Sequence, residues 1–157
     1  MARRGWGQAL VASALIAGTL DIVYAILFSY FRSGTSPARL LQSVASGALG
    51  RDAFSGGTPT AAAGLGFHFL IAFIITAIFF AVAARVPALT RRPVIIGALY
   101  GIAVYLVMNF GVIPLSKIGP RPRPATFVIV AGVLVHMFLV GVPIASGARR
   151  AFRTGWR

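Results

Sequence analysis

The chain has 157 residues, 58% of them apolar and 11% charged, with a mean hydropathy of +0.87 and a formal net charge of +13. Soluble domains carry about 45–50% apolar and ~25% charged residues, so this composition excludes an ordinary soluble domain. The absence of Cys removes disulfides, thiolate metal sites and thiol catalysis together. Fifteen Lys and Arg stand against two acidic residues. They cluster at the ends of apolar segments and form no continuous stripe, so nucleic acid is not the expected partner; the phosphates of anionic lipid head groups are the plainer counter-charge.

Four apolar runs, about 9–31, 61–84, 94–113 and 125–145, each reach the ~20 residues needed to cross about 30 Å of hydrocarbon. Backbone polar groups in lipid must be satisfied within their own segment, so these runs are expected to be helices. The remainder has loop lengths, which leaves no room in residues 1–157 for a separate soluble catalytic domain. The fold class expected is therefore all-α: a single integral-membrane four-helix transmembrane bundle. Arg3 and Arg4 before the first run give it the look of a signal peptide, but apolar sequence continues to Phe31, which favours a retained anchor.

Between the first two runs, Ser36-Pro37 reads as an N-cap and first helical position, Leu40, Leu41, Val44, Ala48 and Leu49 share a face, and Gly50 can close the end. The expected element is a short interfacial helix over about 37–49, lying flat with its leucines in the lipid or on the bundle mouth and Gln42 toward water. Thr58-Pro59 repeats the cap-then-proline signal before the second run, and Pro120-Arg121-Pro122-Arg123-Pro124 should be extended. With four spans, Arg3, Arg4, Arg85, Arg91, Arg92, Arg149, Arg150, Arg153 and Arg157 share one side. Arg32, Arg39, Arg51, Lys117, Arg121 and Arg123 occupy the other. The excess places both termini in the cytoplasm, with Trp6 and Trp156 near the inner boundary.

Each run carries small and polar residues at helical spacing: Gly18 beside Asp21 in the first, Gly64 and His68 in the second, Gly97, Gly101, Tyr105 and Asn109 in the third, Gly132 and His136 in the fourth. Small residues let helices approach closely in lipid, so Gly18, Gly64, Gly97, Gly101 and Gly132 are expected at helix contacts. At 1.5 Å per residue, Asp21 lies ~15 Å, His68 ~10 Å, His136 ~16 Å and Asn109 ~6 Å from the outer ends of their runs. These depths predict one polar cluster. No Lys or Arg interrupts a run to neutralise Asp21, so His68, on the adjacent span, is its expected partner, with His136 and Asn109 completing the network.

Such a cluster admits readings of different class. It can pin the bundle of a structural or accessory membrane component, free to associate with itself or a larger membrane complex. Alternatively, Asp21 and His68 can serve a proton-coupled or cation transporter component. Two histidines can also ligate a b-type haem, or a metal together with Asp21, but nothing else in the sequence marks a cofactor pocket, and neither is expected. A hydrolase built on Ser13 or Ser29 lacks a nucleophile motif, so no enzyme activity is assigned.

The order of Leu41-Gln42-Ser43-Val44-Ala45-Ser46-Gly47, Gly56-Gly57, Gly64 to His68-Phe69, Tyr100-Gly101, Met108-Asn109, Pro114-Leu115-Ser116, His136 and Gly141-Val142-Pro143-Ile144-Ala145 resembles small YagU-like proteins of the bacterial inner membrane. The resemblance covers roughly residues 10 to 148. It implies a four-span inner-membrane protein and carries no functional residues with it.

Overall fold

A computed structural model describes residues 4–119, 122 and 124–153 of the chain. Arg3, Arg121, Arg123, Trp156 and Arg157, and with them most of the proline-rich stretch 120–124, lie outside the described residues. Among the described residues the structure is all-helical, and four helices are long and apolar enough to cross a membrane.

The first long helix, α1, spans Arg4–Ser33. A short helix, α2 (Pro37–Leu49), follows with the expected signals: Ser36 Oγ accepts from the Arg39 amide at 3.3 Å, Pro37 opens the first turn, and Gly50 closes the end at φ 75°. After a 3-10 turn over Gly50–Phe54, helix α3 spans Gly57–Arg85. It begins at Gly57, so Thr58 does not cap it; Gly56 takes that position, and the Thr60 hydroxyl donates back to the Ala53 carbonyl at 2.7 Å. Helix α4 (Pro93–Leu115) and helix α5 (126–153) complete the set. Both run past the ends of their apolar segments.

Each of the last two helices contains a wider π turn, Met108–Val112 in α4 and His136–Gly141 in α5. Both turns end two residues before a proline, Pro114 and Pro143 respectively. A proline inside a helix lacks an amide donor, and its ring presses on the carbonyl four residues earlier; here those are Phe110 and Leu139, both within the π turns. The widened turn accommodates the ring, and the helix continues without breaking.

Helix α1 packs between α3 and α5, and α4 packs along the other side of α5. Helices α3 and α4, consecutive in the chain, stand apart and are bridged by Tyr100, whose hydroxyl donates to the Ile75 carbonyl at 2.6 Å and whose ring lies 4.8 Å from that of Phe79. At the end carrying the termini the bundle is solid. Ala17, Phe79, Phe80, Ala83, Val140, Ile144, Ala145 and Ala148 form a buried cluster there, with Trp6 edge-on to Phe80 at 5.8 Å. Large side chains such as Leu15, Ile16, Leu70, Ile78, Leu99 and Val130 remain exposed on the outer faces of the long helices.

At the opposite end, α2 lies against the first turns of α3 and leaves space between α3 and α4. Its orientation differs from the expected one. Gln42, Ala45 and Ser46 are the buried residues, while Ala48 and Leu49 are exposed. Gln42 is 7% exposed and its Nε2 donates to the Gly57 carbonyl at 3.0 Å, so it does not face water. The physical reason is the closeness of the contact: a Cβ on Gly64 would overlap the Leu41 carbonyl, and only the small face of α2 fits at that distance. The Lys117 amide donates to the Gly47 carbonyl at 2.9 Å and ties the far end of α2 to the segment after α4.

Candidate functional site

Of the glycines predicted at helix contacts, Gly64, Gly97 and Gly101 meet the backbone of a neighbouring helix. A Cβ on Gly97 would stand 2.7 Å from the Gly141 carbonyl oxygen, and one on Gly101 would overlap the His136 carbonyl. Those two glycines therefore pack α4 onto the π turn of α5 within one chain. Gly18 receives the Phe69 ring and Ala72 from α3, and Gly132 receives the Tyr105 ring. Close approach of α1 to α3, and of α4 to α5, sets the positions of the polar side chains between them.

Asp21, His68 and His136 line one cavity of about 130 Å³, with Ala17, Gly18, Val44, Ile71, Ala72, Ile75, Val104, Met108 and Val140. Three of the four helices' predicted polar residues are thus brought to one space. Asn109 is not among its lining residues. Its Nδ2 donates to the Tyr105 carbonyl one turn back at 2.9 Å, and its place on the cavity wall is taken by Met108. A row of residues four apart drifts about 40° per step around a 3.6-residue helix, so by Asn109 it has turned away from the face that carries Gly97 and Gly101.

The expected Asp21–His68 hydrogen bond is not formed. His68 Nε2 lies 2.8 Å from the Gly18 carbonyl, and since a carbonyl can only accept, this nitrogen is the donor. The bond ties α3 to α1 across the cavity wall. His136 Nδ1 lies 2.8 Å from the Gly132 carbonyl and donates in the same way within α5, with its ring edge-on to Tyr105 at 5.4 Å. Backbone carbonyls therefore satisfy one nitrogen of each imidazole, a partner that residue-type reasoning did not consider. The Asp21 carboxylate takes no hydrogen bond and no ion pair among the described residues. No buried side-chain oxygen or nitrogen among them lacks a partner, so the carboxylate is open to the cavity rather than sealed in apolar packing.

A second, larger cavity of about 350 Å³ lies between α2, α3 and α4. Val44, Ile71 and Met108 stand in the walls of both, so one chamber lies directly behind the other. The sequence reading missed this chamber because it arises from the separation of α3 and α4, which no single segment encodes. Among the described residues, no three His, Asp or Glu side chains converge closely enough to hold a metal ion. The chain matches no protein family, no curated protein and no solved structure with which it was compared.

Proposed function

We propose that the chain is a small multi-pass protein of the bacterial inner membrane, both termini cytoplasmic, whose Asp21 is a proton or cation site at mid-depth. It would act as a transport component, with His68 and His136 flanking the site. The observation that carries this reading is the Asp21 carboxylate opening, without partner, into a cavity lined by both imidazoles. An unpaired carboxylate in a low-dielectric interior is costly, by about 2.5–3.5 kcal/mol at mid-helix on insertion scales, and a proton or cation offsets that cost. The charge asymmetry of the loops supports the orientation, and anionic head groups suit the basic cytoplasmic edge.

The test is a proteoliposome assay of proton and monovalent-cation flux, with Asp21→Asn as the variant. Flux in the native protein that is lost in a variant of unchanged melting temperature supports transport. Absence of flux in the native protein, with a lowered melting temperature in Asp21→Asn, rejects it. That outcome would favour the second reading, a structural or accessory component, for which the His68 tie to the Gly18 carbonyl and the close glycine contacts are the supporting observations. Association with itself or a larger complex belongs to that reading.

A further inference from the structure

The inner chamber carries one carboxylate, and one ring nitrogen of each histidine in its wall is committed to a backbone carbonyl. Of its twelve lining residues, only Asp21, His68 and His136 carry polar side chains. Asp21 as a carboxylate can only accept. His68 already donates its Nε2–H to Gly18, and His136 its Nδ1–H to Gly132. An anionic carboxylate, with one N–H of each neighbouring histidine already committed to a backbone carbonyl, calls for a ligand that brings positive charge and N–H or O–H groups of its own. A carboxylate or phosphate head would meet Asp21 with like charge. A metal would need the three groups to converge, and they do not.

The chamber behind has the opposite character. Apart from Ser43 and Ser116 its walls are apolar, and both hydroxyls donate to carbonyls of their own helices, Ser43 to Leu40 and Ser116 to Ile113, each at 2.7 Å. What remains to fill about 350 Å³ is hydrocarbon contact with Val44, Phe67, Leu70, Ile71, Val112 and Ile113. That volume falls in the roughly 300–1,000 Å³ range of ligand pockets.

Building on the reading of Asp21 as a cation site, we propose that the two chambers together bind an alkylammonium amphiphile. The protonated primary amine sits against Asp21, and the alkyl chain lies in the chamber under α2. A primary ammonium neutralises the carboxylate and donates an N–H to it, which a quaternary ammonium cannot do. The inner volume of about 130 Å³ selects a compact head.

The chain contains no Cys, so Ser43→Cys places a single thiol in the wall of the tail chamber. Its rate of maleimide labelling in nanodiscs of zwitterionic lipid is measured with dodecylammonium, dodecanoate, dodecyltrimethylammonium and methylammonium, with Ser55→Cys on an exposed turn as the reference thiol. Dodecylammonium should slow labelling at position 43 about tenfold when present at roughly ten times its Kd, by simple mass action. Dodecanoate should leave the rate unchanged, and dodecyltrimethylammonium, which has no N–H, should protect far less. Asp21→Asn should abolish the protection. Equal protection by dodecanoate, or full protection in Asp21→Asn, overturns the proposal. The same ligand series read as melting-temperature shifts of the native protein decides the matter if either variant fails to fold. If methylammonium or pH shifts the Asp21 carboxylate infrared band while dodecylammonium protects nothing, the amphiphile proposal falls and the cation site stands. If neither probe reaches Asp21, both fall.

Discussion

At Gly101 a single methyl group would overlap the His136 carbonyl, and both partners are backbone that cannot turn aside. Gly101→Ala is therefore expected to destabilise the protein by about 1–3 kcal/mol through overpacking. Gly66→Ala, on the exposed face of α3 where a Cβ meets nothing within 4 Å, should be neutral or gain about 0.5–1 kcal/mol of helix propensity. Thermal unfolding of the two variants in the same detergent checks the contrast; equal melting temperatures would show that α4 and α5 are not packed this closely. His68→Ala removes one hydrogen bond between α1 and α3 and should cost about 0.5–1.5 kcal/mol. His68→Gln, which can still donate to a carbonyl, should recover part of it. At this scale the sequence pointed to Asp21, His68 and His136 because polar groups inside apolar runs are costly. It misplaced Asn109 because a row of residues four apart drifts about 40° per step around a 3.6-residue helix, which leaves Val104 and Met108 on the cavity wall instead.

Among elements, α2 shows how a helix with clear caps can still be turned the wrong way by sequence reasoning. Its apolar residues suggest an interfacial helix with leucines inward or in lipid, yet the face that docks is Gln42, Ala45 and Ser46. Small residues win at this contact because backbone approach at Gly64 brings many atoms into van der Waals range, and a leucine there would hold the helices apart. Gln42→Ala should loosen this docking, since it deletes the bond to the Gly57 carbonyl, at about 0.5–1.5 kcal/mol. Hydrogen exchange resolved by segment is the check. Amides of Pro37–Leu49 should exchange faster in the variant while those of α1 are unchanged. If α2 exchanges at the same rate in both proteins, Gln42 does not hold it. The Arg39 side chain, stacked over Phe54 at 4.1 Å and donating to the Phe54 carbonyl at 3.3 Å, is a second tie on the outer rim.

For the molecule as a whole, a solid end and a hollow end follow from helix order around the bundle. The proposed cytoplasmic termini would put the solid end, around Phe80 and Ile144, inside, and the chambers under α2 toward the outer face. In the Cys-free background, Ser55→Cys should label from outside intact cells and Ala88→Cys, on the exposed turn between α3 and α4, only after permeabilisation. The reverse pattern would invert the topology.

The number of long helices, the caps of α2 and the presence of costly polar groups were determined by sequence alone. Each rests on physics local to one segment: about 20 apolar residues cross hydrocarbon, a helix satisfies its own backbone, and Ser-Pro and Gly mark its ends. The tertiary structure decided which polar groups share a space and what they bond. Every long helix carries small residues, so many pairings are open to the sequence. Only the packed arrangement, with α3 and α4 held apart and α5 placed between α1 and α4, opens the chambers at Asp21. Backbone carbonyls of Gly18 and Gly132, exposed by the lack of side chains there, then take the histidine donors that residue-type reasoning had assigned to the carboxylate.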